Sequence, residues 1–399
     1  MNNGLDVEKL AEEKLGIKEI DKDIKVKKKK KISFAKKKPT KKEPKLRKVK
    51  DNKFISIDVG TSFIKVVEGR KRKDKIQILN AAKIESSSEY VKNGDLHSLP
   101  NIVNLLKTNF AQKNMNTKDL VFVMGGNQII SREISVIYNS EISEKEFRIL
   151  IANELAQYLP INMEDYDIQY KEIEKFNVDG QPRIKVLVVV CPRSIVKGFL
   201  KVAEDIGEKK KPYALDITNN AITKIYNHVN TINGTKINKK EAAMFIDMGA
   251  ASFNISILNE GVLEFMRSIQ GSGFEIDRNI ALGIGVHVKE AEDLKIEKCN
   301  IGEHNESEAN NFAREIVAQW TDEIERIINF YGNKRKKRID RIYIYGGTSK
   351  LKGLGEYIKN RVNIEVVKIE TVDNIEISKS VAINNIDQYL NAIGTLLRL

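Results

Sequence analysis

One pattern constrains this chain of 399 residues more than any other, and it occurs twice. Phe54–Gly69 reads FISIDVGTSFIKVVEG and Met244–Gly261 reads MFIDMGAASFNISILNEG. Each is an apolar strand ending in Asp, then a tight turn of Gly and small residues, then a second strand. Each therefore predicts a β-hairpin. The shared core is Ile-Asp-x-Gly, with Asp58 and Gly60 answered by Asp247 and Gly249. Taken singly, such an Asp serves its own turn. As a pair, the two carboxylates can hold a hard cation such as Mg²⁺, and the Gly turns expose backbone N–H groups that cradle phosphate oxygens. A third stretch, RIYIYGGTSKLKGLGEYI (Arg341–Ile358), runs a strand into Gly346-Gly347-Thr348 and then a helix. Such a turn lets a flat ring or a ribose come close to the backbone.

Composition sets the frame around these pieces. A hydrophobic share of 41% with 31% charged residues describes a soluble globular chain long enough for a sizeable core. Its longest apolar run, around Val186–Val190, falls short of the roughly 20 residues of a membrane span. The N-terminus has no apolar signal-peptide core, so a cytoplasmic location is expected. Cys191 and Cys299 are too few for a disulfide framework. The four histidines share no ligand spacing, so no zinc site is expected. The net charge of +13 sits almost wholly in a tail. Residues 1–50 hold 19 Lys/Arg against 8 Asp/Glu, leaving 49 against 47 for the rest. Residues 1–52 are expected to be a disordered Lys-rich arm. With Ile32 and Phe34 among its lysines, the segment 22–50 also suits an anionic membrane surface, at about 1 kcal/mol per Lys. No aromatic platform or groove-reading helix accompanies it, so no nucleic-acid partner is expected.

Along the chain, residues 53–133 and 208–240 are expected to form a first α/β domain. Between them, residues 134–207 read as an inserted strand-helix-strand-strand-helix unit. Ser143 and Glu146 make a capping box for its first helix, and RIKVLVVV is apolar on both sides, as a buried central strand is. SIVKGFLKVAEDIG is its second helix, and Tyr213–Val229 is expected as a helix returning to the first domain. Residues 241–399 form the expected second domain. Within it, Gly271 and Gly273 precede a helix start where anion contacts are available, Trp320 belongs to the core of a long helix, and Lys334–Arg338 is a solvated basic cap.

In this order, the three motifs resemble the phosphate-1, phosphate-2 and adenosine motifs of the actin-like ATPases. Asp58, Gly60 and Lys65 resemble actin's first loop, and DMGAASFNISIL resembles the second loop of the heat-shock chaperones. AEDLKIE (Ala291–Glu297) resembles the ribose-contacting helix of the bacterial cell-shape actins at Glu292 and Lys295. An insertion at this point resembles the branch that holds FtsA and the pilus-assembly family PilM. The resemblance implies an α/β, actin-like (ribonuclease H-like, duplicated) two-domain fold with an inserted SHS2-type subdomain. It implies ATP and Mg²⁺ as cofactors, with Asp58 and Asp247 on the metal. The nucleotide would be held by those two with Gly60, Thr61, Ser62, Lys65, Gly249, Ala250, Ala251, Ser252, Glu292, Lys295, Gly346, Gly347 and Thr348. An ordinary ion pair between Glu292 and Lys295 is the plain alternative for that helix.

Departures bear on turnover. Ala250 and Ala251 stand where the chaperone loop has Gly, and Asn254 where it has Asp. Hydrolysis needs a side chain that positions water, and the matching region YALDITNNAITKIY offers Asp216 as its candidate. Nucleotide binding with at most weak ATPase activity is the expectation. The leading function is a cytoplasmic adaptor of the type IV pilus platform, peripheral at the inner membrane. As that family does, it would dock the N-terminal peptide of a bitopic inner-membrane partner (PilN-like) and join it to the assembly ATPase. An FtsA-like membrane-associated filament and a small-molecule kinase of the same superfamily are the alternatives.

Overall fold

The run of Ile, Phe and Val around Asp58 builds β1 (Lys53–Val59), which is buried on both faces. It pairs antiparallel with β2 (Phe63–Arg72), and β2 with β3 (Lys75–Glu85), in a register that sets Asp58, Lys65 and Lys83 in one row. Helix α1 (Leu99–Gln112) crosses over, and β4 (Asp119–Met124) returns parallel to β1. The computed structural model describes residues 52–92, 94–139, 141–159, 162–302 and 307–397. The expected arm and its membrane contact at 22–50 lie outside these residues.

The inserted unit follows as β5 (Ile130–Ile137), α2 (Glu144–Ala156), β6 (Tyr166–Val178) and β7 (Gln181–Pro192). β7 lies between β5 and β6. The capping box starts α2 as the sequence indicates: Ser143 Oγ accepts from Glu146 N–H, and the Glu146 carboxylate accepts from Ser143 N–H. One face of β7 (Ile184, Val186, Val188, Val190) packs with Phe147, Ile151 and Leu155 of α2. Its other face turns Leu187 into a core shared with Phe54 and Val121 of the first sheet. Two expected boundaries move. The insertion begins at Ile130 rather than 134. Its second helix, α3 (Arg193–Ile206), packs under the first sheet, where Phe199 meets Phe122 at 5.6 Å.

The segment expected to be one helix from Tyr213 divides into β8 (Lys211–Ile217), parallel to β4, and α4 (Thr218–His228). The second half repeats the winding. β9 (Ala242–Met248), β10 (Phe253–Asn259) and β11 (Val262–Ile269) form an antiparallel meander. Helices α5 (Gly273–Ile284), α6 (Val288–Lys298) and α7 (Glu308–Arg335) follow. Then β12 (Arg341–Tyr345), α8 (Leu354–Val362) and β13 (Glu365–Lys368) extend the sheet in parallel. The orders β3-β2-β1-β4-β8 and β11-β10-β9-β12-β13 are the same path drawn twice. Trp320 is core, 4.7 Å from Phe253, with its indole N–H donated to Glu275.

The expected second domain does not keep its own C-terminal segment. β14 (Ile375–Ile377) adds to the first sheet beside β3, and α9 (Leu390–Gly394) packs on α4 and β1. The basic run is also more than a solvated cap. Arg335 bonds Glu133 of β5 and Glu264 of β11, and Lys334 stands 3.7 Å from Glu133. Tyr331 donates to Glu264 at 2.9 Å. This network fastens the inserted sheet to the second half.

Candidate nucleotide and cation cleft

The two hairpins are congruent in detail. Gly60 N–H donates to Phe63 O at 3.2 Å, and Gly249 N–H donates to Ser252 O at 3.2 Å. A Cβ on either glycine would stand 2.8 Å from that same carbonyl, so the turn itself demands glycine. The third turn leans on the second. Gly346 has φ +92, and a Cβ there would lie 2.8 Å from Met248 O and 2.9 Å from Asp247 Oδ1. Thr348 Oγ1 donates to Gly249 O at 2.8 Å.

Between the sheets these turns border a cleft of about 580 Å³, a volume typical of small-molecule sites. Its first wall carries Asp58, Gly60, Thr61, Ser62 and Lys65; its second carries Asp247, Gly249, Ala250, Ala251 and Ser252. Gly346, Gly347 and Thr348 close one end, where Glu292 and Lys295 approach from α6. The plain alternative for α6 is not what forms. Glu292 pairs with Lys289 at 2.8 Å, while Lys295 pairs with the buried Asp277 at 2.6 Å. The start of α5 spends two of its N–H groups on the hairpin, Gly273 on Gly249 O and Phe274 on Ala250 O, so the anion contacts expected there are reduced.

Asp216 is not on the cleft wall. Its carboxylate takes Lys224 Nζ at 2.6 Å and Asn220 Nδ2 at 2.7 Å. Sequence reasoning did not single out Lys83, Asp277 and Asn391 as cleft residues. Asn254, noted in the sequence as a departure from the chaperone loop, stands opposite Asp247 as Lys65 stands opposite Asp58.

The two carboxylates differ in their compensation. Asp58 has the Lys65 ammonium at 3.4 Å. Asp247 has neutral amides, with Asn391 Nδ2 donating at 2.8 Å. Burial, and then the Asp58 charge, push the Asp247 carboxyl up to about 6. Burial and these same two charges also hold the Tyr345 phenol far above its ordinary range. Such a paired acidic site fits a divalent cation, which would relieve the repulsion. Among the described residues no group of three or more His, Cys, Asp or Glu side chains could hold a metal alone. Mg²⁺ is commonly held by one or two carboxylates and completes its shell with phosphate oxygens and water, a set that Asp58 and Asp247 fit.

The family model for type IV pilus assembly protein PilM matches residues 56–399. Among solved structures, a PilM-PilN type IV pilus biogenesis complex is similar with a TM-score of 0.73 at 17% identity, over 86% of this chain and 97% of that one. The ethanolamine utilization protein EutJ of Carboxydothermus hydrogenoformans gives 0.50 at 13% identity, over 86% and 88%. These likenesses show the fold, which is the duplicated actin-like one. The cell division protein FtsA of Bacillus subtilis (strain 168) is 23% identical over 264 residues, 61% of this chain and 57% of that protein. The FtsA of Staphylococcus epidermidis is 21% identical over 388 residues, 87% and 79% respectively. The chain thus spans little more than half of the first FtsA.

Proposed function

Because the chain belongs to the family of the type IV pilus assembly protein PilM, we propose that it is an ATP-binding, actin-like adaptor of a pilus assembly platform. In this reading it works in the cytoplasm at the inner face of the membrane. It holds the N-terminal peptide of a bitopic inner-membrane partner of the PilN kind and joins it to the assembly ATPase. Among the described residues no helix is long and apolar enough to cross a membrane. The Lys-rich segment 22–50 would add affinity for anionic lipid. The observation that carries the proposal is the meeting of both Asp hairpins and the Gly346-Gly347 turn on one cleft, in a fold that also carries an inserted sheet.

When bound, Mg²⁺–ATP supplies concentrated negative charge bridged by a hard cation. Asp58 and Asp247 would hold the cation from opposite walls. The turns Gly60–Ser62 and Gly249–Ser252 would hold phosphate oxygens, with Lys65 balancing charge. Gly346, Gly347 and Thr348 would admit the adenosine, and Glu292 and Lys295 the ribose. In this reading the site binds nucleotide and closes on it, with at most weak ATPase activity. Closure draws the two halves together and shifts the population of conformers that the partner meets. The Arg335 network connects this movement to the inserted sheet. There β6 is an outer strand to which an extended peptide can add.

Calorimetry with a synthetic N-terminal peptide of the pilus partner, with and without Mg²⁺–ATP, tests this. Tighter binding with nucleotide, and slowed hydrogen exchange along Tyr166–Val178, are expected. No binding in either condition overturns the adaptor. The FtsA matches favour a second reading, a filament-forming protein. ATP-dependent sedimentation of polymers by the purified chain would support it instead.

A further inference from the structure

Asp247 is held by a residue from the far end of the chain. Asn391 of α9 donates its Nδ2–H to Asp247 Oδ2 at 2.8 Å, and its Oδ1 accepts the Tyr345 hydroxyl at 3.2 Å. Chemistry fixes the orientation of this amide. An ionised carboxylate can only accept, so the NH₂ group must face Asp247 and the carbonyl oxygen is left for the phenol. Asn391 and Tyr345 are 6% and 2% exposed, so water does not replace either bond readily. Tyr345 is the residue just before the Gly346-Gly347 turn, so the amide joins two of the three cleft motifs.

The helix that carries Asn391 belongs by its packing to the other half of the molecule. Ala392, Ile393 and Leu396 share a core with Phe54 and Val67, and Thr395 Oγ1 meets Ser56 Oγ of β1 at 2.5 Å. One side chain therefore crosses between the first-half framework and the second-half carboxylate. Asp58 needs no such support, since Lys65 stands beside it. At the equivalent place, Asp247 faces Asn254. Neutral amides leave Asp247 its whole charge for a cation, and they also have to supply its orientation.

We propose that Asn391 is the positioning residue for Asp247. It commits Asp247 Oδ2 to the amide and, with the Asn254 side chain that also bonds this carboxylate, fixes how the group is presented to a divalent cation. It thereby makes cation binding depend on α9 being seated on the first half. The proposal rests on the reading of the cleft as a Mg²⁺–nucleotide site. Residues that orient metal ligands typically change metal affinity 10–100-fold when removed.

The test uses the full chain in two arms. In the first, without nucleotide and in EDTA, unfolding midpoints are measured for Asn391→Ala, Asp247→Ala and the double variant. A shift from Asn391→Ala that shrinks by at least half in the Asp247→Ala background supports the proposal; additive shifts overturn it. In the second arm, a non-hydrolysable ATP analogue is titrated with Mg²⁺ and again in EDTA. Asn391→Ala is expected to weaken Mg²⁺-dependent binding about 10–100-fold and to leave binding in EDTA within about twofold. Asn391→Asp, which keeps the size but places a like charge against Asp247, should lose at least as much. Equal losses with and without Mg²⁺, or free acceptance of Asp at 391, overturn the proposal. A parent protein that binds no adenine nucleotide would sink the reading of the cleft, while the first arm still decides whether Asn391 holds Asp247.

Discussion

Replacing Asp247 by Asn is expected to stabilise the ligand-free protein at neutral pH while removing an anchor for the cation. Burial, and secondarily the charge on Asp58, raise this carboxyl from 3.8 to about 6. A folded-state value above the unfolded one means that protonation favours the fold. The contribution is fully present below about pH 4 and is lost as pH rises through 6. At about 1.36 kcal/mol per tenfold change in acidity, the loss reaches about 3 kcal/mol above pH 7. Asn has nearly the same shape, can still accept from Asn391, and never ionises, so it recovers this loss. The gain should be about 3 kcal/mol at pH 7.5 and fall to about 0.5 kcal/mol at pH 4. Equilibrium urea unfolding in EDTA across that range measures it. Comparing variant with parent at each pH cancels Asp277 and Asp387, whose carboxyls are also raised by burial. A gain that is absent at pH 7.5, or undiminished at pH 4, would refute the reasoning. Calorimetry on the same variant should show Mg²⁺-dependent nucleotide binding lost.

Three further outcomes follow from the packing. Arg335→Ala leaves Glu133 and Glu264, each with a side chain 12% exposed, without their shared cation. It should cost about 3 kcal/mol in urea unfolding, whereas Arg361→Ala, which breaks half-exposed pairs to Asp322 and Glu325, should cost under about 1 kcal/mol. Gly346→Ala forces a side chain onto Met248 O and Asp247 at φ +92, so it should cost well above the ~1 kcal/mol of backbone strain alone. Gly180→Ala, at φ +80 in open space, is the control that should cost only that ~1 kcal/mol. Phe199→Ala should lower stability by roughly 3–5 kcal/mol in urea unfolding, because Phe199 is buried against Phe122 of the first sheet; a loss under about 1 kcal/mol would refute that packing.

What could be read from the sequence was what local chemistry dictates. An Asp-x-Gly turn between apolar strands needs glycine because the fourth residue's carbonyl closes on it, and that need is visible in the letters. The capping box at Ser143 and the two-sided apolarity of β7 are local in the same sense. What could not be read was choice of partner over distance. The spacing of Ile195, Phe199, Leu200, Ala203 and Ile206 marks one side of α3, but it includes the exposed Leu200 and does not show that the first sheet covers the rest. Lys334 and Arg335 look like any helix-ending cations until β5 brings Glu133 to them. Asp216 looked available because Lys224, eight residues on, reveals itself only when α4 starts at Thr218. Asn391 is an ordinary helix residue in the sequence, and its place comes from a bond spanning 144 residues.

The return of β14 and α9 to the first sheet has a consequence for biosynthesis. β3 leaves the ribosome well before its neighbour Ile375–Ile377, which is translated some 300 residues later. Ser56 waits still longer for Thr395, 339 positions downstream. The nascent first half therefore carries an unzipped border and an uncovered Phe54 face while the second half is translated, the kind of surface on which chaperones act and misassembly begins. Settling of the Asp247 cleft waits until Asn391 has been made, so ligand competence follows the translation of both halves.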